Sequence, residues 1–324
     1  MGKRHFRVGV LGATGMVGQN YVRLLEGHPW FEVTYVAASP QSRGKSYAEA
    51  VAGRWQMASS VPAGVARLVV GDANDVGAAK GQCDFVFSAL EMEKDATRVL
   101  EEAYAGADIP VVSNASAHRW TEDVPMLLPE INADHLDILS VQRSRRGWKK
   151  GFIVVKPNCS VQCYLTPIHA LRQAGYEVKR VILTTMQAVS GAGYPGVASL
   201  DMLDNIVPYI GGEEEKSERE PLKILGKLLG VGEAGGEGGD KVGGCFVLDD
   251  SLQISAHCNR VPVVDGHTAC VSLEFGKAKP SKEEILKIWQ EFRGVPQELN
   301  LPFAPKLAIH YREEENRPQP RKDR

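Results

Sequence analysis

The apolar run "VVKPNC" ends on Pro157, Asn158 and Cys159, and a second thiol, Cys163, follows in "SVQC". A cysteine works as a nucleophile when a base, an oxyanion site and a bound substrate meet it. Proline stops the strand, asparagine favours a turn, and helical spacing resumes just beyond, so Cys159 is expected at a helix N-terminus, where a thiol ionises readily. Taken alone, such a cysteine is more often buried filler. Cys163, one helical turn on, reads as a core thiol. His267 follows Asp265-Gly266 at the mouth of a turn, and Arg260 precedes it across an apolar strand, so both can face one pocket. A lone histidine is usually structural, so the pairing matters. After the strand ending "MQAV", "SGAG" supplies Ser190, Gly191 and Gly193, a glycine loop suited to approach a nicotinamide ring.

A second constellation is "GATGMVG", in which Gly12, Gly15 and Gly18 stand between an apolar strand and a helical stretch. Glycines there let the backbone, with Thr14, Met16 and Val17, approach a pyrophosphate at the positive end of a helix. A ligand-free tight turn is the plainer reading, but the strand–helix context favours a dinucleotide. An NAD site ordinarily carries an acid at the end of the second strand. Here "AASPQSRGK" offers Ser39, Ser42 and Arg43 instead, which suits the 2′-phosphate of NADP. Ser88, ending the strand in "CDFVFSAL", joins the expected cofactor set.

These residues need a scaffold. Strands alternate with helices up to about residue 155, which implies a parallel, doubly wound sheet. Longer strands follow, with helices to one side: "VKRVILTTMQAV", the charged "EEEKSEREPLKILGKLLG", and "SKEEILKIWQEF" with a Ser281/Glu284 capping box. The fold class expected is therefore α/β, an N-terminal Rossmann-type parallel sheet plus an α+β domain, which the family resemblance given below makes the catalytic and dimerisation domain. The domains are set at 1–157 and 158–310, with 311–324 as a segment that the resemblance given below implies returns toward the first. "RSRRGWKK" at 143–150 reads as a solvated loop before the junction, and the glycine-rich 232–244 as a mobile loop.

The bulk numbers exclude several classes. With 324 residues the chain is long for one core, and a formal charge of −2 gives no basic surplus for nucleic acid. Six cysteines without a C-x-x-C pair make neither a disulfide framework nor a zinc site, so no metal is expected. No apolar run reaches membrane-spanning length, and "MGKRHFRVGV" runs straight into a strand, which implies a cytoplasmic protein without a signal peptide.

Taken in order, "GATGMVG", "SNASAHR", "KPNCSV", "QAVSGAG", "GGEEEK" and "RVPVVDGH" resemble the aspartate-β-semialdehyde dehydrogenase family, in its archaeal and fungal branch. The resemblance covers nearly the whole chain. It implies NADP-dependent reductive dephosphorylation of L-4-aspartyl phosphate to L-aspartate 4-semialdehyde, reversibly, in threonine, methionine and lysine biosynthesis. It implies Cys159 as the nucleophile that carries the acyl group and His267 as general base and acid. Gln187 would orient the substrate and Asn158 shape the oxyanion site. Arg260 would clamp the α-carboxylate, Glu213 meet the amine, and Lys216, Arg119 and Asn114 meet phosphate. A homodimer or homotetramer is implied, with a small-molecule substrate and inorganic phosphate as its partners.

Without the resemblance, "EEEKSERE" reads as a solvated helix face and Arg119 as a surface ion pair. The family continues past "RPQPRKD" with a glycine-containing strand and a last helix, whereas this sequence stops at Arg324, and its 232–244 loop is longer. Three rivals follow: a malonyl-CoA reductase on the same scaffold, a catalytically silent NADP-binding protein, and a cysteine hydrolase. Glu213 disfavours the first, since a malonyl group has no amine, and the dinucleotide turn disfavours the last.

Overall fold

The computed structural model describes residues 5–229, 241–242 and 245–324. The glycine-rich stretch 232–244 lies outside them except for Lys241 and Val242. The chain forms two compact units, Met1–Met126 with Leu136–Lys156, and Leu127–His135 with Pro157–Arg324. Residues 127–135, expected in the first domain, thus belong to the second unit, as do residues 311–324.

The first unit is built on a six-stranded parallel sheet. Its strands are β1 (Phe6–Leu11), β2 (Phe31–Ala38), β3 (Gly71–Asp72), β4 (Phe85–Ser88), β5 (Val111–Ser113) and β6 (Ile153–Val155), in the order β3-β2-β1-β4-β5-β6. Val10, Val36, Val86, Val111 and Ile153 have no exposed surface, as expected where helices cover both faces of a parallel sheet. The order reverses between β1 and β4, the position at which doubly wound sheets bind nucleotides. The basic stretch at 143–150 is not the loop expected. Its first half closes the helix Ile138–Arg146, which buries Ile138 and Gln142 and stops at Gly147 in the left-handed conformation (φ 68°). Arg146 is drawn in by Asp123 at 2.6 Å and Glu102 at 2.7 Å.

In the second unit β7 (Val178–Gln187) is flanked by two long strands. Short strands β8 (Lys227–Leu228), β9 (Lys241–Val242) and β10 (Phe246–Val247) form a small sheet; β11 (Gln253–Arg260) runs parallel to β7 and β12 (Thr268–Phe275) antiparallel to it. Helices Val161–Gln173, Glu213–Ile224 and Lys282–Glu291 accompany them, the last with its Ser281/Glu284 capping box formed. In the first of these, Val161, Tyr164, Leu165, Ile168 and Leu171 make the buried face by helical spacing. Cys163 falls off that stripe and is exposed, so it is not the core thiol expected.

The glycine turn after β1 shows why its residues must be small. A Cβ on Gly18 would stand 2.2 Å from the Gly12 carbonyl oxygen, and one on Gly12 (φ 73°) 2.3 Å from that of Ala89. Gly18→Ala is expected to destabilise the protein by about 1–3 kcal/mol through forced backbone movement. Equilibrium urea unfolding checks this, and a midpoint equal to that of the parent protein would contradict it.

Candidate active site

Topology gathers the reactive residues of the second unit. β11 is parallel to β7, so Arg260 and Gln187, which pair in register, finish at the same edge of the sheet. β12 is antiparallel, so it begins at that edge, immediately after His267. The turn carrying Cys159 brings its sulfur within 3.1 Å of His267 Nε2. The other ring nitrogen, Nδ1, accepts the Ala188 backbone N–H at 3.0 Å. An accepting Nδ1 has no proton, so the neutral ring carries its hydrogen on Nε2 and points a donor at the sulfur. That arrangement fits a thiolate.

The turn itself is held from the charged helix Glu213–Ile224. Asn158 N–H donates to Glu220 Oε2 at 2.6 Å, its side-chain amide donates to Glu213 Oε2 at 2.9 Å, and its Oδ1 accepts Ser160 N–H at 2.9 Å. Gln187 Nε2 donates to the same Glu213 oxygen at 3.2 Å, and Lys216 Nζ meets the other at 2.7 Å. Burial alone would raise the Glu213 carboxyl, but Lys216, Asn158 and Gln187 outweigh it and hold the group below the usual carboxylate range. The helix is therefore no solvated face: Glu213, Ser217 and Glu220 are buried on one side of it. Glu220 was not anticipated, although it lies two helical turns from Glu213, on a face where a surface helix normally carries apolar residues.

Arg260 is 7% exposed, and its Nη1 donates to the Ala188 carbonyl at 2.7 Å. Its other guanidinium N–H groups have no hydrogen-bond acceptor among the described residues, while its backbone N–H donates to the Val207 carbonyl at 2.8 Å. Burial lowers its pKa, opposed by the charges of Glu213 and Cys159. Gly191 leaves room for both groups, since a Cβ there would lie 2.9 Å from Arg260 Nη1 and 3.3 Å from the His267 ring and would push the guanidinium aside. Beside it Ser190 Oγ donates to Asp265 Oδ1 at 2.9 Å, and Gly193 (φ 71°) ends the short turn.

The first unit, taken by itself, presents the glycine turn. Tyr47 Oη donates to the Ala13 carbonyl and Gln19 Nε2 to that of Thr14, at 2.9 and 3.0 Å. The N–H groups of Thr14, Met16 and Val17 have no backbone acceptor among the described residues outside their own helix, Met16–Leu24, whose first turn carries no acid. A turn that occupies its carbonyls and leaves N–H groups at a helix start fits a pyrophosphate. Ser39 and Arg43 are exposed beyond β2, with Ser42 buried between them. The nearest acid by register is one the sequence reading overlooked, Asp72, paired with Ala38, and its carboxylate already accepts Asn74 N–H at 2.9 Å. The cofactor end thus fits a 2′-phosphate. Ser88, expected in the cofactor set, has a fully buried side chain that donates to Glu101 Oε1 at 2.6 Å and braces β4 from within. Asn114 N–H caps the Ser88 carbonyl at 2.8 Å, and Arg119 Nε donates to the Lys156 carbonyl at 3.1 Å. Among the described residues no His/Cys/Asp/Glu group could hold a metal ion, and no helix is long and apolar enough to cross a membrane.

Comparison with known proteins agrees with this geometry. Residues 7–139 match the NAD binding domain, and residues 168–324 the dimerisation domain, of semialdehyde dehydrogenase. Aspartate-semialdehyde dehydrogenase of Methanothermobacter thermautotrophicus is 46% identical over 98% of this chain and 84% of its own length. The chain belongs to the aspartate-semialdehyde dehydrogenase family. The family member from Archaeoglobus fulgidus is 44% identical over the same shares, 98% and 84%. The crystal structure of the Candida albicans aspartate semialdehyde dehydrogenase with NADP superimposes with a TM-score of 0.84 at 38% identity, over 99% of this chain and 86% of that one.

The Glu213 environment yields a pH test. With its value depressed, the carboxylate adds stability that is present above the usual carboxylate range and is lost only as pH falls through the lowered value. Lys216→Met removes the main opposing cation and leaves the burial. The variant should be about 1–2 kcal/mol less stable at neutral pH, with the deficit shrinking as acid neutralises Glu213. Thermal unfolding from about pH 7 to about pH 4 reads this. A deficit constant with pH would contradict it.

Proposed function

We propose that the chain interconverts L-4-aspartyl phosphate and L-aspartate 4-semialdehyde with NADP, through an acyl-thioester on Cys159. The observation that carries the reading is the Cys159 Sγ–His267 Nε2 contact of 3.1 Å with Nδ1 tied to a backbone N–H. The thiolate attacks the acyl carbon, the C–S bond forms, and the C–O bond to phosphate breaks. NADPH, when bound, supplies the hydride that reduces the acyl carbon, and NADP accepts it in the reverse direction. His267 Nε2–H donates first to the thiolate and then to the oxygen on which charge develops, and returns to sulfur when the thiolate leaves. The full base role that the resemblance implies would require Nδ1 to release the Ala188 N–H.

Arg260 has N–H groups left to take the α-carboxylate in a two-point bond, and Glu213 offers a carboxylate to the ammonium. Lys216, beside Glu213, supplies positive charge for phosphate, and Arg119 and Asn114 keep the phosphate role implied by the resemblance. The matched dimerisation domain supports a homo-oligomer, and the enzyme is proposed to work in the cytoplasm.

Glu213→Gln keeps the shape and removes the charge, so it should weaken aspartate semialdehyde more than any malonyl-CoA reduction, which loses only what the disturbed Asn158 turn costs. Arg260→Lys cannot reproduce the two-point bond and should cost about 2–4 kcal/mol in kcat/KM. Steady-state assays on both substrates decide it. A parent enzyme that prefers malonyl-CoA, or a Glu213→Gln variant indifferent to the amino-acid substrate, overturns the reading.

A further inference from the structure

Cys163 has no place in that chemistry, yet it stands beside the reactive thiol. Its Sγ lies 3.7 Å from the Cys159 carbonyl oxygen. Cys163 lines a cavity of about 560 Å³ together with His267, whose Nε2 meets the Cys159 sulfur at 3.1 Å, so a small solute entering it reaches Cys163 beside the catalytic imidazole. Residues four apart in a regular helix keep their Cβ atoms about 5–6 Å apart, too far for a disulfide, which needs about 3.5–4.5 Å. Cys159 is not in the regular helix. It precedes Ser160, the N-cap of Val161–Gln173, and Cys163 N–H bonds the Ser160 carbonyl at 3.0 Å, a tight first turn. Ser160 already has helical dihedrals (φ −68°, ψ −36°), so Cys159 approaches Cys163 by rotation about its own bonds, which lie outside the helix ladder.

We propose that Cys159 and Cys163 form a reversible disulfide when the enzyme meets a hydroperoxide, which shields the nucleophile from irreversible oxidation. The Cys159 thiolate attacks the O–O bond of ROOH: an S–O bond forms, O–O breaks, and the departing alkoxide takes a proton from solvent as ROH. Cys163, its proton released to solvent, then attacks Cys159 Sγ. The S–S bond forms, S–O breaks, and hydroxide leaves to become water. Both sulfurs are oxidised and the peroxide is reduced, with no other reagent needed.

The electrostatics order the two steps. Burial around its sulfur, then the charge of Cys159, push the Cys163 thiol up to about 11, so it does not compete for peroxide while Cys159 is a thiolate. Crowding at the sulfur and the exposure of the residue as a whole point in opposite directions, and the second sets the access of solvent. Oxidation of Cys159 to the neutral sulfenic acid removes the smaller of these two causes, the opposing charge, and leaves burial as the brake on Cys163. The inference uses Cys159 as a reactive thiol but not its substrate, so it stands or falls apart from the proposed function.

The test compares the full-length enzyme with Cys163→Ser, with Cys163→Ala as a second variant, each treated with hydrogen peroxide. Turnover before treatment should be unchanged in both variants. The parent should lose activity, its tryptic peptide 151–172 should lose about 2 Da, and dithiothreitol should restore activity. The variants should instead gain about 32 Da at Cys159 and stay inactive after dithiothreitol. Three results overturn the proposal: a parent peptide that only gains oxygen, variants that recover as the parent does, or a disulfide linking Cys159 to any other cysteine.

Discussion

Two backbone groups of one buried residue organise the catalytic edge. The Ala188 N–H sets the tautomer of His267, and the Ala188 carbonyl anchors Arg260 by one nitrogen. Ala188 has no exposed surface, so neither bond competes with water. The strand that ends just before it, β7, is therefore more than a spacer between β11 and β12. Its end decides which ring nitrogen faces the thiol and how much of the guanidinium remains for a substrate.

The second constraint is the polar web around Asn158. Side chains of the helix Glu213–Ile224 hold the residue before the nucleophile by its main chain and by its amide. A web of buried carboxylates is costly unless every member is satisfied, and here Lys216, Gln187 and Asn158 provide donors to Glu213. Glu213 consequently has two tasks, as a strut for the nucleophile turn and as the charge proposed to meet an ammonium. Substrate recognition and nucleophile placement are thus linked through one side chain.

Much of this was legible in the residues. The parallel sheet, the glycine turn, the cysteine beyond Pro-Asn and the pairing of Arg260 with His267 follow from periodicity, turn chemistry and local order. What escaped the reading depends on tertiary partners. Ala188 acts through its backbone, which leaves no mark on residue type. Glu220 sat within a run of charges that looked solvated, although its spacing from Glu213 placed both on one face. Arg146 looked like part of a loop because the acids that draw it in, Glu102 and Asp123, are distant in sequence. Cys163 was expected inside because free cysteine usually is, but the neighbouring apolar residues had already filled the buried stripe.

The central claim is that the resting imidazole carries its proton on Nε2, toward the sulfur. Nitrogen-15 NMR of the enzyme labelled at histidine, with His267 assigned from its Asn variant, reads the tautomer directly through the two ring-nitrogen shifts. At neutral pH the account predicts a protonated Nε2 and an unprotonated Nδ1 for His267, in the ligand-free enzyme. A ring protonated at Nδ1, with Nε2 free to accept, would contradict it and would make His267 a base for a neutral thiol.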